Sequence, residues 1–406
     1  MTERPSVDEA LDTIRATVAA LGRELVPTRR ALGRRLAEDS RATIDVPRFP
    51  SSAMDGYAIA SRDTLAASPS NPVDMRIAKL VRAGDQAPPM CPMTAVGIAT
   101  GAPIPAGADT VVIHERAAIV GDALRLSEPV AAMLNVRLAG EDFRAGEVAL
   151  ARDTDLTADA IGALIGCGID ALTVRRRPRL LLFSTGSELA PSCRDLANSA
   201  AVVDSNSPMI EALATGLGLQ IDILGTAQDT CSSTDAMLDA AIAATDADLV
   251  LSTGGVSGGA FDLVRTRLEA GGGRVHFHGV NMRPGKPLLF ATLPDGRPYF
   301  GLPGNPVAAL VAFRFFVMSA IRAMAGLAPE SGRPVADSQV GRAGTTLFLR
   351  GRARRDGEQL VGVDTGLDQR SHVLSSVLAA DTWLRVDPPA DGPAIQFAFP
   401  KVPPPL

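Results

Sequence analysis

The sequence predicts a multidomain chain of class α/β plus β, in which β-rich units flank a central α/β domain. Three observations predict it. At 406 residues the chain is too long for one ordinary core, and its length suggests about two to four domains. Between Arg179 and Pro306, four strand-like runs each empty into a loop rich in Gly, Pro, Ser and Asn. Leu180–Phe183 leads into Ser184-Thr-Gly-Ser-Glu188, and Leu249–Leu251 into the glycine loop ending at Asp262. Val275–Phe277 leads towards Met282-Arg-Pro-Gly-Lys286, and Tyr299–Phe300 into Leu302-Pro-Gly-Asn-Pro306. Helical patterns alternate with these runs, as in an open sheet whose ligand lies beyond the carboxyl ends of its strands. Residues 75–150, and those after Gly332, instead alternate short apolar runs with Gly/Pro turns, as small β domains do.

Taken in order, Ser6-Val-Asp-Glu9 is a capping box, and Leu11, Ile14, Val18 and Leu21 continue it at helical spacing. A second helix is expected from Thr28 towards Glu38. Pro47 to Ala58 is extended and punctuated by proline, with Asp55 before a glycine, the composition of a turn capped by its own carboxylate. Thr100–Asp109 and Asn135–Asp142 are further glycine-and-acid clusters. Thr157–Gly168 reads as a capped helix, Thr173–Val174 begins a strand, and Arg175-Arg-Arg-Pro-Arg179 is a basic hinge. Asp204-Ser-Asn-Ser-Pro208 opens a helix, Ile221–Leu224 is a strand, and a helix from Ser232 to Ala244 follows Asp229. Pro294-Asp-Gly-Arg297 marks a hairpin, and Val307–Ala325 is a long apolar helix suited to a core or a dimer interface.

Composition excludes several classes. The net charge of −5 lacks the basic stripe of a nucleic-acid binder. Cys91, Cys167, Cys193 and Cys231 show neither Cys-x-x-Cys nor zinc spacing and read as cytosolic thiols. The polar start suggests no signal peptide, and no apolar run approaches the ~18 residues of a membrane span. A cytoplasmic protein without membrane contact is expected. Neither a Gly-x-x-x-x-Gly-Lys-Ser/Thr nor a Gly-x-Gly-x-x-Gly pattern occurs, which argues against a P-loop or a dinucleotide fold. His276 and His278 would share a strand face, but no third metal ligand accompanies them, and packing histidines are the simpler reading.

The loops offer glycine amides that can cradle phosphate, two cations at Arg283 and Lys286, and the acids Glu188, Asp229 and Asp262. Acids beside phosphates repel, by about 4 kcal/mol per pair at 4 Å and an effective dielectric near 20. A divalent cation resolves that conflict, and oxygen ligands favour Mg²⁺. The residues alone therefore point to metal-assisted chemistry on a phosphorylated ligand.

Together the motifs carry a resemblance. Ser52-Ala-Met-Asp-Gly-Tyr-Ala58, Thr100-Gly-Ala-Pro103, Gly140-Glu-Asp142, Ser184-Thr-Gly-Ser-Glu-Leu189, Asp204-Ser-Asn206, Gly254-Gly-Val-Ser257 with Asp262, Pro284-Gly-Lys-Pro287 and Pro303-Gly-Asn-Pro-Val307 occur in this order. The chain resembles the molybdopterin molybdenumtransferase (MoeA) family, which includes the E domain of gephyrin. The resemblance implies insertion of molybdate into adenylylated molybdopterin, with Mg²⁺, releasing AMP and the molybdenum cofactor. It implies four domains: an elongated, helical, dimer-forming domain I (1–45 and 148–178), a β-rich domain II (46–147), a three-layer molybdopterin-binding α/β domain III (179–328) and a β-barrel-like domain IV (329–406). It also implies a homodimer whose site is shared between subunits, with an adenylyltransferase and recipient molybdoenzymes as partners.

By resemblance Asp55, Asp142, Glu188, Asp229 and Asp262 are the catalytic acids, the last three holding metal. Thr100, Ser184, Thr185, Gly186, Ser205, Asn206, Gly254, Gly255, Ser257, Arg283, Pro284, Gly285, Lys286, Pro303, Gly304, Asn305, Pro306 and Ser371 bind substrate. Some positions depart from the family pattern. Ser187 replaces a frequent Asp, Arg283 a Lys, and Gly258 a Val. Gly279 stands where some members carry a further Lys, which removes one anion contact. Gln369-Arg-Ser-His372 replaces Gln-Gly-Ser-Gly, with bulk expected to narrow the cleft. Two alternatives remain: a scaffold paralogue that keeps the fold without chemistry, and a molybdopterin adenylyltransferase. The acids all being present argues against the first. The second would carry Thr-Gly-Gly-Thr-Gly where this chain has Thr253-Gly-Gly-Val-Ser257, and would leave about two-thirds of the chain unexplained.

Overall fold

Leu180, Leu181, Leu182 and Phe183 are all buried, yet they alternate between two different apolar cores. That is the signature of a strand covered by helices on both faces. The computed structural model describes residues 4–190, 192–196, 200–256, 263–335, 344–356, 359–388 and 394–398. Contacts divide the chain into two units, one of Met1–Gly22 with Arg176–Leu406 and one of Arg23–Arg175.

The first unit opens with helix α1 (Val7–Thr17), where both bonds of the Ser6–Glu9 capping box form: Ser6 N–H to Glu9 Oε2 at 2.8 Å and Glu9 N–H to Ser6 Oγ at 3.3 Å. Its main sheet contains β1 (Arg179–Thr185), β2 (Gln220–Ala227), β3 (Leu249–Thr253), β4 (Arg274–His278), β5 (Leu289–Thr292) and β6 (Pro298–Leu302), in the spatial order β2-β1-β3-β6-β5-β4. Neighbours β2, β1, β3 and β6 pair in parallel, whereas β5 is antiparallel to both β6 and β4. The four strands that the sequence pattern singled out, β1, β3, β4 and β6, therefore run in one direction and empty at one edge. The Asp295-Gly296 turn joins β5 to β6, as its hairpin signature requires.

Leu180, Leu182, Leu249, Leu251, Phe300 and Leu302 enter one core with α1, helix α2 (Asn206–Gly216) and helix α5 (Pro306–Met324). Leu181, Phe183, Val250 and Tyr299 enter the other with Leu238 of helix α3 (Cys231–Ala243) and with Val264 and Leu268 of helix α4 (Leu263–Ala270). Helix α1 thus packs in this unit rather than with residues 23–45, because Val7, Ala10 and Ile14 complete its core. Contrary to the expectation that no segment has membrane-span length, α5 is a 19-residue helix long and apolar enough for one, with 72% of that window buried. Its residues Val307 to Val317 fill the core, which explains their composition.

The carboxy-terminal strands order as Met282–Arg283, Thr346–Asp356, Thr382–Val386, Ala394–Ala398 and Arg333–Val335, with Gln359–Asp364 beside the second. Among the described residues this order does not close on itself, which makes a half-barrel sheet of what was expected to be barrel-like.

In the second unit, six strands order as Thr110–Ile113, Gly56–Ile59, Thr94–Ile98, Val73–Val81, Ala123–Leu126 and Ala118–Val120. The helix Ala158–Gly166 follows its Thr157 cap. The expected helix from Thr28 to Glu38 does not form. Arg23–Pro27 pairs with Ala171–Arg175, Thr28–Arg30 makes a single 3₁₀ turn, and Gly33 at φ 67° carries the chain away. The backbone groups are taken by a partner strand, and Thr28 Oγ1 donates to Ile169 O at 2.7 Å.

Candidate functional site

The strand exits of the first unit surround a cavity of about 1070 Å³, at the upper end for small-molecule sites. Glu188, on the loop leaving β1, forms one wall. Ser205 and Asn206 at the start of α2 form the second. Arg283 to Pro287 form the third, and Pro303 to Pro306, between β6 and α5, close the floor. Ser371 joins from the carboxy-terminal region, where its carbonyl accepts the Val307 N–H at 3.0 Å and so caps α5. Of the residues expected to bind substrate, Ser205, Asn206, Arg283, Pro284, Gly285, Lys286, Pro303, Gly304, Asn305, Pro306 and Ser371 line this cavity.

Ser184, Thr185, Gly186, Gly254 and Gly255 do not; they lie behind the wall and hold it. Ser184, fully buried, donates its hydroxyl to Asp204 Oδ2 at 2.6 Å and lies 2.6 Å from Ser207 Oγ and 3.1 Å from Thr253 Oγ1. Asp204 Oδ1 accepts the N–H groups of Asn206 and Ser207 at 3.0 and 3.1 Å, the role of an acid at a helix start. Burial alone would raise the Asp204 carboxyl, but the bonds from Ser184 and Ser207 and the two backbone N–H groups outweigh it and hold the group below its ordinary range. Asn206 Nδ2 donates to Gly304 O at 2.8 Å, tying the second wall to the floor. Gly254, at φ +85°, lets its backbone approach β1. A Cβ there would fall 2.4 Å from Thr185 O.

The charges are unequal in their commitments. Arg283 and Lys286 are exposed and pair with no carboxylate among the described residues. Glu188 is also exposed, and its carboxylate has no partner among them. Asp229 Oδ2 accepts the Ser187 N–H at 3.0 Å while Ser187 Oγ accepts the Asp229 N–H at 2.9 Å, so this acid braces the loop that carries Glu188. Asp262 and Ser257 lie outside the described residues. Among the described residues, no group of three His, Cys, Asp or Glu is placed to hold a metal ion.

Asp55, Thr100 and Asp142 belong to the second unit. Asp55 Oδ1 accepts both the N–H and the hydroxyl of Thr100, at 2.6 and 2.9 Å, and these bonds lower its pKa. Asp142 is exposed, its N–H donating to Val46 O at 2.9 Å.

One expectation changes. Arg370 does not narrow the cavity: it turns to Asp368, whose carboxyl its bonds lower to about 2, while Gln369 and Ser371 form the wall. The basic hinge is anchored where Arg176 pairs with Asp248 through both nitrogens. Gly279, where some relatives are expected to carry a lysine, has φ +93°, a conformation that favours glycine. The histidines are packing groups. His276 stacks on Phe290 with ring centroids 5.1 Å apart, and its pKa is lowered by burial, while His278 Nε2 lies 3.0 Å from Val256 O.

Sequence reasoning missed Asp204, Asn281, Thr345 and Gln369 as parts of the wall. Asp204 was legible as an acid two and three residues before the N–H groups that it caps. Asn281 and Thr345 meet only because Met282–Arg283 pairs in parallel with Thr346–Leu347, and nothing local announces that. Gln369 is held by Arg350, whose N–H it accepts at 3.0 Å and whose carbonyl takes its Nε2–H at 2.8 Å.

Comparison with known proteins gives a consistent result. The family profile "MoeA N-terminal region (domain I and II)" matches residues 5–168, and "Probable molybdopterin binding domain" matches residues 181–323. A molybdopterin molybdenumtransferase of Staphylococcus aureus (strain COL) is 35% identical over 321 residues, covering 79% of this chain and 76% of that protein. One from a Nostoc strain is 36% identical over 334 residues, covering 80% and 76%. The crystal structure of a molybdopterin biosynthesis MoeA protein from Pyrococcus horikoshii OT3 superposes with a TM-score of 0.76 at 28% identity, covering 97% of this chain and all of that one.

Proposed function

The chain belongs to the molybdopterin molybdenumtransferase family, an enzyme family of molybdenum cofactor biosynthesis, and from that premise we propose that it inserts molybdate into adenylylated molybdopterin with Mg²⁺-dependent release of AMP. The observation that carries this reading is the pairing of two uncommitted cations, Arg283 and Lys286, with one uncommitted carboxylate, Glu188, around a single cavity. The cations suit a phosphate or molybdate oxyanion, and the cavity has room for a ligand of nucleotide size.

The donor set fits Mg²⁺, which needs only one or two carboxylates when substrate oxygens and water complete its shell. Glu188 would hold it, and Asp262, outside the described residues, is assigned as a second acid by the family resemblance. Asp229 has one oxygen committed to Ser187 and would offer only the other. When bound, the metal offsets the repulsion between acids and phosphate and draws charge from the bond to AMP. Arg283 and Lys286 orient the oxyanion, while Asp204 and Asn206 keep the α2 wall in register with the floor. Asp55, Thr100 and Asp142 are assigned to the same reaction from the second subunit of a homodimer, an assignment that rests on the family resemblance. An adenylyltransferase that supplies the substrate and molybdoenzymes that receive the product are the partners this reaction calls for. Incubation of the protein with adenylylated molybdopterin, Mg²⁺ and molybdate tests the reading. AMP release that depends on molybdate is expected, and release independent of molybdate would refute it.

A further inference from the structure

We propose that His114 is a positioning residue for Asp55, a further member of the group that the second unit contributes to the proposed reaction. Register brings the two side chains together. Strands Gly56–Ile59 and Thr110–Ile113 run antiparallel, with Gly56 opposite Ile113 and Tyr57 opposite Val112. The His114 N–H donates to Asp55 O at 3.2 Å, which continues the ladder by one pair and sets His114 opposite Asp55. Residues directly opposite in such a ladder share a face, with Cβ atoms about 4.5–5.5 Å apart. The strands meet closely here, because Gly56 has no side chain: a Cβ on it would lie 2.1 Å from Val112 O.

Tyr57 steadies the imidazole. It stands two residues from Asp55, hence on the same face, and its ring meets the His114 ring edge-on with centroids 5.1 Å apart and planes at 79°. Val112, on this face too, is buried in the apolar core against which Tyr57 packs, while Asp55 and His114 emerge exposed at its rim. Both bonds from Thr100 end on Asp55 Oδ1, and Oδ2 accepts none from the described residues. The imidazole is the cross-strand neighbour able to donate to that second oxygen. The electrostatics agree. The Thr100 N–H and then its hydroxyl lower the Asp55 pKa, desolvation opposes them, and His114 adds to the lowering. Glu115 and Arg116 follow His114 on its turn, are exposed, and make no bond to Asp55 among the described residues. Thr100 thus anchors one oxygen, while His114 orients the other and favours the ionised carboxylate.

This inference rests on the transferase reading, so the test has one arm that needs turnover and one that does not. Molybdate-dependent AMP release is measured for the full-length protein and its His114→Ala and His114→Gln variants, with and without added imidazole and with thermal melts alongside. In parallel the Asp55 carboxyl is titrated by NMR on isotope-labelled aspartate, its signal assigned by its loss in Asp55→Asn. His114→Ala is expected to lower kcat about tenfold, near the lower end for a hydrogen bond to a charged group, with KM and the melt unchanged. His114→Gln, which keeps a donor, and imidazole added to His114→Ala should each recover part of that loss. The Asp55 carboxyl should titrate at higher pH in His114→Ala than in the wild type. Unchanged kcat in His114→Ala, or a loss that neither Gln nor imidazole relieves and that comes with a lower melting temperature, would overturn the proposal. Turnover in the wild type with an Asp55 titration that His114→Ala leaves unmoved would overturn the role of His114 alone. A wild type without molybdate-dependent AMP release would overturn the transferase reading and this role with it, whatever the titration shows.

Discussion

Asp204→Ala should destabilise the first unit by about 2–3 kcal/mol, and Asp204→Asn by about 1 kcal/mol. The Ala variant removes the acceptor for the N–H groups at the start of α2, a loss that typically costs about 1 kcal/mol. It also strips the buried Ser184 hydroxyl of a 2.6 Å bond to a charged acceptor, a contact worth about 1.5–3 kcal/mol. Ser207 Oγ and Thr253 Oγ1 remain beside Ser184, which keeps the sum near the lower end. Asn retains a carbonyl oxygen for the two N–H groups, and Ser184 can accept from its amide while donating to Thr253. For a unit of this size each kcal/mol shifts the midpoint about 2–4 °C, so the Ala variant should melt about 4–12 °C lower. The single tryptophan, Trp383, is fully buried in this unit, and its fluorescence reports the relevant transition. The pH dependence follows the same logic. The folded carboxyl lies below its unfolded value, so its contribution is present above about pH 4 and is lost as pH falls through the depressed folded value. The wild-type protein should therefore lose stability more steeply in acid than Asp204→Asn does. An Ala variant that melts with the wild type, or an Asn variant less stable than Ala, would refute the assignment of Asp204 as the brace of this wall.

Three further outcomes are expected. Lys286→Ala should raise the Kd for AMP or pyrophosphate about tenfold with an unchanged melting temperature, since the exposed ammonium has no partner to lose among the described residues; calorimetry beside a thermal melt checks both halves. Asp262→Asn should stay folded and lose Mg²⁺-dependent AMP release, with excess Mg²⁺ recovering part of it, and wild-type turnover in that variant would remove Asp262 from the site. Mixing an Asp55→Asn chain with a Lys286→Ala chain should restore activity in some heterodimers if the site is shared between subunits, whereas no gain over either parent after verified exchange would refute sharing.

Most of the fold around the site was legible because one physical signal dominates there. Short aliphatic runs such as Leu180–Phe183 and Leu249–Leu251, closed by glycine-rich loops, read as strands buried on both faces, and the cavity lies at those loop exits. The misread elements are those whose local signal was overruled by distant pairing. Residues 28–38 carry adequate helix formers, but Arg23–Pro27 finds its partner in Ala171–Arg175, almost 150 residues along the chain. Helix α5 was legible as a helix, and its membrane-like composition follows from burial in a protein core.

The site was legible in a different way, and its two kinds of residue explain where the reading stopped. A motif such as Ser184-Thr-Gly-Ser-Glu188 is a sequence unit, but the structure splits it. Glu188 faces the cavity, while Ser184 and Thr185 point into the network behind it, bonded to Asp204, Ser207 and Thr253. The glycines at 254 and 255 similarly serve the approach of two backbones, since a side chain at either would collide with Thr185. Chemistry in the sequence identifies which loops meet, because glycine, hydroxyl and carboxylate are needed both to shape such loops and to bind through them. It does not say which member of the loop faces the ligand. That is decided by the pleat of β1 and by the acid that caps α2.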